Sequence, residues 1–251
     1  MPGKSSKVRI FEDRETACRT LAGELAGLIA TVNASGRDAV LGLATGNTPV
    51  PLYRELVRLH REEGLSFARV VTFNLDEYLG LPREHPESYW TFMHRQLFDH
   101  VDIAPENIHI PAGQPDDVGT HCAEYEQAIR DAGGIDFQLL GIGRTGHIGF
   151  NEPGSPRDSR TRRIELDPVT REDAADAFGG LDQVPTHAIT MGCGTILEAR
   201  RLGLLAFGER KAAIVREAIE GPITAEVSAS FLQEHPDAAF FLDREAAGHL
   251  G

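Results

Sequence analysis

The strongest constraint in this 251-residue chain is its regular alternation of short apolar runs with longer amphipathic stretches. Extended runs fall at 7–11, 39–43, 69–74, 108–110, 137–142, 187–191, 202–207 and 238–242. Helical spacing occupies 15–32, 48–63, 88–100, 116–132, 195–199, 210–220 and 225–234; within the first of these Leu21, Leu25, Leu28 and Ile29 share one side. When helices separate the strands, each return to the sheet is a crossover. The sheet is then mostly parallel, with helices on both faces. The expected fold is α/β: one three-layer, Rossmann-like domain over Met1–Gly251. Segment 153–184 departs from the pattern. It is rich in Asp and Arg, carries Gly179–Gly180 and lacks apolar periodicity, and so reads as a lid excursion.

Charge narrows the function classes. A formal net charge of −13 argues against a nucleic-acid partner and against an anionic membrane surface, both of which want a basic face. No apolar run reaches the ~18 residues of a membrane span. The N-terminal stretch has no apolar signal core. Cys18, Cys122 and Cys193 are too scattered for a disulfide framework or a zinc pattern. A cytoplasmic protein with reduced thiols is expected, and assembly into a homo-oligomer is left open. Arginine dominates the 25 basic residues: the lysines are Lys4 and Lys7 in the lead-in and Lys211 alone in the body. A lone lysine among arginines marks a place for a compact ammonium, or a solvated helix position.

Three segments carry chemistry. In Leu41-Gly-Leu-Ala-Thr-Gly-Asn-Thr-Pro49 a strand runs through a small-residue turn into a helix, with Thr48 as cap and Pro49 at the first helical position. Free N–H groups of Thr45, Gly46, Asn47 and Thr48 at a positive helix end suit a phosphate; an ordinary turn is the alternative. In Phe73-Asn-Leu-Asp-Glu-Tyr-Leu-Gly80 two acids follow a strand, where α/β proteins place ligands. An extended backbone sends Asp76 and Glu77 opposite ways, so one can enter the cleft while the other serves structure. Asp76 is a candidate proton shuttle, or else a loop acid. In Gly141-Ile-Gly-Arg-Thr-Gly-His-Ile-Gly-Phe-Asn-Glu-Pro153 a formal G-x-G-x-x-G is broken by Gly149 and Pro153 before any long helix can start, which disfavours a dinucleotide. His147 and Glu152 remain as an imidazole and a carboxylate able to handle hydroxyl protons.

Together LGLATGNTP, VVTFNLDEYLGL, GIGRTGHIGFNEPGS and the stretch around Gly208 and Lys211 resemble the glucosamine-6-phosphate deaminase family, over 11–242. The related 6-phosphogluconolactonases follow the Gly-His with Thr-Ala-Ser instead. The resemblance implies that an amino-sugar phosphate is opened, isomerised and hydrolysed to fructose 6-phosphate and ammonia, with no metal or organic cofactor. It implies that Asp76 is the base between C2 and C1, that His147 assists ring opening with Glu152, that 45–48 cradles the phosphate and that Lys211 binds it.

Two positions depart from that family. Its acid two residues before the histidine is here Thr145, which can hydrogen-bond an imidazole but brings no charge. Its lid arginine would fall near Ala175 and Asp176, where none stands; Arg171, Arg160 or Arg144 are the substitutes on offer. Of the family's allosteric pocket, Ser155 and Arg162 match while Pro156 and Ile164 do not. A lactonase using His147 with water, and a non-catalytic sugar-phosphate sensor, are the competing readings.

Overall fold

Apolar residues on both faces of a strand demand cover on both faces. Strands β1 (Lys7–Phe11), β2 (Ala39–Leu43), β3 (Val70–Asn74), β5 (Ile108–His109), β6 (Phe137–Leu140), β9 (Leu202–Ala206) and β10 (Ala238–Asp243) form a seven-stranded sheet, in the order β1-β10-β9-β6-β2-β3-β5. Every pairing in it is parallel. The computed structural model describes residues 7–251; the lead-in 1–6, with Lys4, lies outside them. All residues of β2 and β9 are buried, whereas β1, at the edge, leaves Ile10 55% exposed.

The helices are α1 (Arg14–Ala34), α2 (Val50–Glu63), α3 (Tyr89–Gln96), α4 (Val118–Asp131), α5 (Pro168–Phe178), α6 (Cys193–Leu197) and α7 (Ala212–Glu220). Asp13 starts α1 by accepting from the Thr16 N–H at 2.7 Å, and Leu21, Leu25 and Ile29 are its buried stripe. Removing one such leucine side chain costs about 2–5 kcal/mol.

Strand order and handedness together locate the crevice. From β1 to β2, β3 and β5 the chain steps one way across the sheet; from β5 to β6, β9 and β10 it steps back. Right-handed crossovers then put α1, α2 and α3 on one face and α4 and α7 on the other. The reversal falls between the neighbours β2 and β6, where Leu41 pairs with Phe137. The loops leaving these two strands diverge to opposite faces, which opens a cleft at their carboxyl ends.

A second, three-stranded antiparallel sheet joins β4 (Asp76–Tyr78), β8 (His187–Thr190) and β7 (Arg162–Glu165), in the order β4-β8-β7. It corrects the expectation for 187–191, which leaves the parallel sheet because β8 has a partner in β4. Segment 153–184 is likewise no plain excursion. It contains β7, whose polar Arg-Arg-Ile-Glu has no apolar signature and is held by pairing with β8, and then α5. Tyr78, Phe150, Leu166 and Ala188 form a separate small core, with Tyr89 and Phe178 against it.

Three helix expectations also shift. α2 begins at Val50 after Pro49, with no side-chain cap, so Thr48 does not cap it. The helix expected over 88–100 breaks at Leu97, whose φ is −140°, and resumes as a 3-10 turn at Phe98–His100. Of 225–234 only Ser228–Glu234 is helical, and it is 3-10. There the Ser230 hydroxyl is bound back to Thr224, while the Ser228 hydroxyl serves the Ile148 N–H and the Asn151 carbonyl.

Candidate active site

At the crevice between β2 and β6 lies a cavity of about 170 Å³. Its walls are the β2 loop (Ala44, Thr45, Thr48), the β6 loop (Gly141, Ile142, Gly143, His147, Gly149, Phe150), Leu75 and Asp76 from the β3–β4 junction, and Tyr89 from α3. A wider chamber of about 340 Å³ reaches outward from it under α5, with Gly46, Asn47 and Lys211 in its lining.

Asp76 and Glu77 do point opposite ways. Glu77 accepts from the N–H groups of Tyr78, Tyr89 and Trp90 at 2.9–3.0 Å. Ser88 Oγ takes the Thr91 N–H at 3.1 Å, so the open donors at the start of α3 are filled by these two residues. Burial pushes the Glu77 carboxyl up to about 7 against those hydrogen bonds. Asp76 faces the cavity at 5% exposure. Burial, and then the charge of Glu77, raise its carboxyl well above the ordinary range. Its close quarters require glycine at 149: a Cβ there would lie 2.9 Å from Thr190 Oγ1 and 3.4 Å from Asp76 Oδ2, at a φ of +55°.

His147 lies over Gly143, where a Cβ would come within 2.2 Å of Nε2. Its Nδ1 has two partners, Glu152 Oε2 at 2.9 Å and Thr145 Oγ1 at 2.9 Å. A carboxylate only accepts, so the partner chemistry assigns the hydrogen to Nδ1, and the Thr145 oxygen shares that single donor. Nε2 is left as a lone-pair acceptor facing the cavity. Burial pushes the Glu152 carboxyl up, but the hydrogen bond with His147, the attraction of that imidazole when it is protonated and the Asp167 N–H at 3.2 Å outweigh it and hold Glu152 below its usual value. Asn151, buried, locks the loop by donating to the Ile148 and Met191 carbonyls at 2.9 and 2.8 Å.

The turn at 45–48 presents Thr45 and Thr48 to the inner cavity and Gly46 and Asn47 to the outer chamber. Among the described residues no backbone acceptor takes the N–H of Gly46, Asn47 or Thr48. Lys211 ends the turn Glu209–Lys211 before α7 and donates from Nζ to the Ile142 carbonyl at 2.8 Å. Burial pulls its ammonium down from the ordinary lysine value.

The structure thus brings Thr45, Gly46, Asn47, Thr48, Asp76, Thr145, His147, Glu152 and Lys211 to one place. It also adds Tyr89, half-buried in the cavity wall, which the sequence reading missed. Its stacking with Phe150 at 6.0 Å and its contact with Tyr78 at 5.0 Å join residues far apart in the chain, so no local signal marks it. The three substitute arginines separate clearly. Arg160 pairs with Glu198, and Arg171 donates to the Leu181 and Val184 carbonyls. Arg144 alone of the three lines the outer chamber.

A parallel sheet with a desolvated carboxylate and a carboxylate-held imidazole at its switch point defines an α/β enzyme built for proton transfer on a small polar molecule. Residues 12–240 match the sequence profile of the glucosamine-6-phosphate isomerases/6-phosphogluconolactonase family, and the chain belongs to that family. It is 48% identical over 236 residues to a glucosamine-6-phosphate deaminase of Bacillus pumilus, covering 94% of this chain and 96% of that one. It is 50% identical to glucosamine-6-phosphate deaminase 1 of Giardia intestinalis, over 91% and 86% of the two chains. A solved structure described as a monomeric glucosamine-6-phosphate deaminase superposes with a TM-score of 0.93 at 45% identity, covering 97% and 99%. The 6-phosphogluconolactonase of Trypanosoma cruzi has a TM-score of 0.77 at 20% identity over 100% and 99%, a likeness of fold alone.

Proposed function

We propose that this protein is a glucosamine-6-phosphate deaminase: it converts an amino-sugar phosphate, glucosamine 6-phosphate or a close relative, to fructose 6-phosphate and ammonia. The observation that carries this reading is the buried, electrostatically raised Asp76 in the same 170 Å³ cavity as the Glu152-held His147. The named relatives support it.

In this reading His147 Nε2 takes the O1 proton and passes it to the ring oxygen O5 as the C1–O5 bond breaks, so the pyranose opens to an amino-aldehyde. Asp76 removes the C2 proton, giving an enolamine, and returns a proton to C1. With one proton passing from the nitrogen to O1, the aldehyde carbon becomes a hydroxymethyl group and C2 an imine. Water adds at C2, the C–N bond breaks, and ammonia leaves with the ketone in place. A carboxyl whose pKa is raised by burial is a stronger base than an ordinary one, which suits abstraction of a weakly acidic C–H. Glu152 keeps the hydrogen on Nδ1 and so keeps Nε2 basic; Thr145 shares that donor. The N–H groups of 45–48 and Lys211 take the phosphate, whose binding energy holds C2 at Asp76.

All steps are acid–base steps, so we assign no cofactor. We also propose one catalytic unit over the whole chain, a role in N-acetylglucosamine catabolism and a cytoplasmic setting. Free, buried thiols at Cys18, Cys122 and Cys193 suit a reducing compartment. Among the described residues no helix is long and apolar enough to cross a membrane. The test is ammonia release from a panel of 6-phosphorylated amino sugars by the purified protein. Release from glucosamine or galactosamine 6-phosphate is expected; hydrolysis of a phosphorylated lactone with no ammonia from any amino sugar overturns the reading.

A further inference from the structure

The outer chamber holds an ion pair that the chemistry above does not use. Arg144 Nη1 of the β6 loop meets Asp173 Oδ1 of α5 at 2.7 Å. Both line the chamber together with Lys211, Gly46 and Asn47. Asp173 and Arg144 act on the Lys211 ammonium in opposite senses, the acid raising it and the guanidinium lowering it. The three charged groups therefore form one electrostatic cluster beside the open N–H groups of the β2 turn.

We propose that Arg144 is a second cation for the substrate's phosphate and that Asp173 is its resident counterion, displaced when the phosphate binds; this rests on the deaminase reading. Charge balance is the first argument. A phosphate monoester carries about −1.5 to −2 at pH 7, which two cations neutralise. With Asp173 still on Arg144, the cluster has only one net positive charge to offer.

Ease of exchange is the second argument. The side chains of Arg144 and Asp173 are 58% and 45% exposed, so their pairing is an open surface ion pair, worth little, and easily traded for a phosphate. Position is the third. Asp173 belongs to α5, whose Asp167 cap holds Glu152 through its N–H at 3.2 Å. Phosphate arrival at Arg144 thus frees the contact between the β6 loop and α5 on the same helix that touches the catalytic pair. Arg95 and Glu87 also line the chamber; the Arg95 guanidinium is turned to the Pro86 carbonyl at 3.2 Å.

The proposal makes an acid in the site inhibitory, which a purely structural role would not. Sorbitol 6-phosphate has no carbonyl and no amine, so it probes the phosphate subsite without turnover. Titration calorimetry compares wild type, Arg144→Gln, Asp173→Asn and the double variant, with unphosphorylated sorbitol as control.

Asp173→Asn is expected to bind sorbitol 6-phosphate about threefold to fivefold more tightly, the range of an exposed ion pair. Arg144→Gln is expected to bind it about tenfold more weakly, the loss of one charge-assisted hydrogen bond. In the double variant the gain from Asp173→Asn shrinks, because the cation it blocked is gone. Unchanged or weaker binding by Asp173→Asn overturns the proposal, as does unchanged binding by Arg144→Gln. Ammonia release is measured separately on the same proteins. Expected binding shifts without ammonia from wild type remove the deaminase reading and leave the phosphate subsite standing; ammonia release without binding shifts does the reverse.

Discussion

Asp76 and Glu77 are neighbours in β4 and work on opposite sides of it: Asp76 enters the cavity, while Glu77 takes the N–H groups of Tyr89 and Trp90 at 3.0 Å and anchors α3. The strand's period of two is what lets adjacent acids have unrelated tasks. It also couples them, because the charge of Glu77 helps raise Asp76.

Asp76→Asn should keep the fold and the affinity for sorbitol 6-phosphate, and should lose proton exchange at C2 by ~10²-fold or more. The measurement is deuterium uptake from heavy water into the amino-sugar phosphate. Exchange near the wild-type rate would remove Asp76 from the mechanism.

The same substitution should stabilise the protein near neutral pH. Because the folded-state pKa of Asp76 is raised, its favourable contribution is complete below about 3.8 and is lost as pH rises through the raised value. Asparagine has no such loss. Melting temperatures should therefore be similar at pH 4, with Asp76→Asn above wild type by pH 8. A wild type that gains on the variant as pH rises contradicts the assignment.

Glu77→Ala leaves the half-buried N–H donors of Tyr89 and Trp90 at the start of α3 without a partner and should cost about 1–3 kcal/mol. Urea denaturation reads this directly. Glu77→Gln keeps one acceptor oxygen and should lose less. Equal stability of all three proteins would mean that α3 does not depend on this contact.

Glu152 is the anion on Nδ1 of His147, whereas Thr145 only shares the donor. Glu152→Gln should lower kcat by about 10²-fold or more, through loss of the charge and of the fixed tautomer. Thr145→Val should cost less than about tenfold, the scale of one neutral hydrogen bond. Steady-state rates of ammonia release decide; a larger loss at Thr145 than at Glu152 would reverse their importance.

Lys211→Ala should weaken sorbitol 6-phosphate by about tenfold or more while leaving unphosphorylated sorbitol alone. An equal change for both ligands by calorimetry would mean that the Nζ bond to the Ile142 carbonyl is its whole purpose.

Much of this was legible in the chain. Continuous apolar runs such as Ala39–Leu43 and Leu202–Ala206 announce strands buried on both faces, because only a covered parallel sheet tolerates them. The alternation of elements makes the sheet parallel. The period of two separates Asp76 from Glu77, and the scarcity of lysine singles out Lys211. These are local properties, set by a few neighbouring residues, and any window of the sequence contains them.

The rest belongs to tertiary structure. β4 and β7 are short and carry no apolar alternation; they are strands because β8 supplies their hydrogen bonds. Thr48 is freed from capping because α2 starts after Pro49, and it lines the cavity instead. The choice of Arg144 over Arg160 and Arg171 follows from which wall each arginine reaches. Above all, the site exists because β2 pairs with β6, which brings the turn at Thr45 beside the loop of His147. Strand order is decided by the packing of the whole sheet, and the helices between these strands carry no local record of which strand will lie next to which.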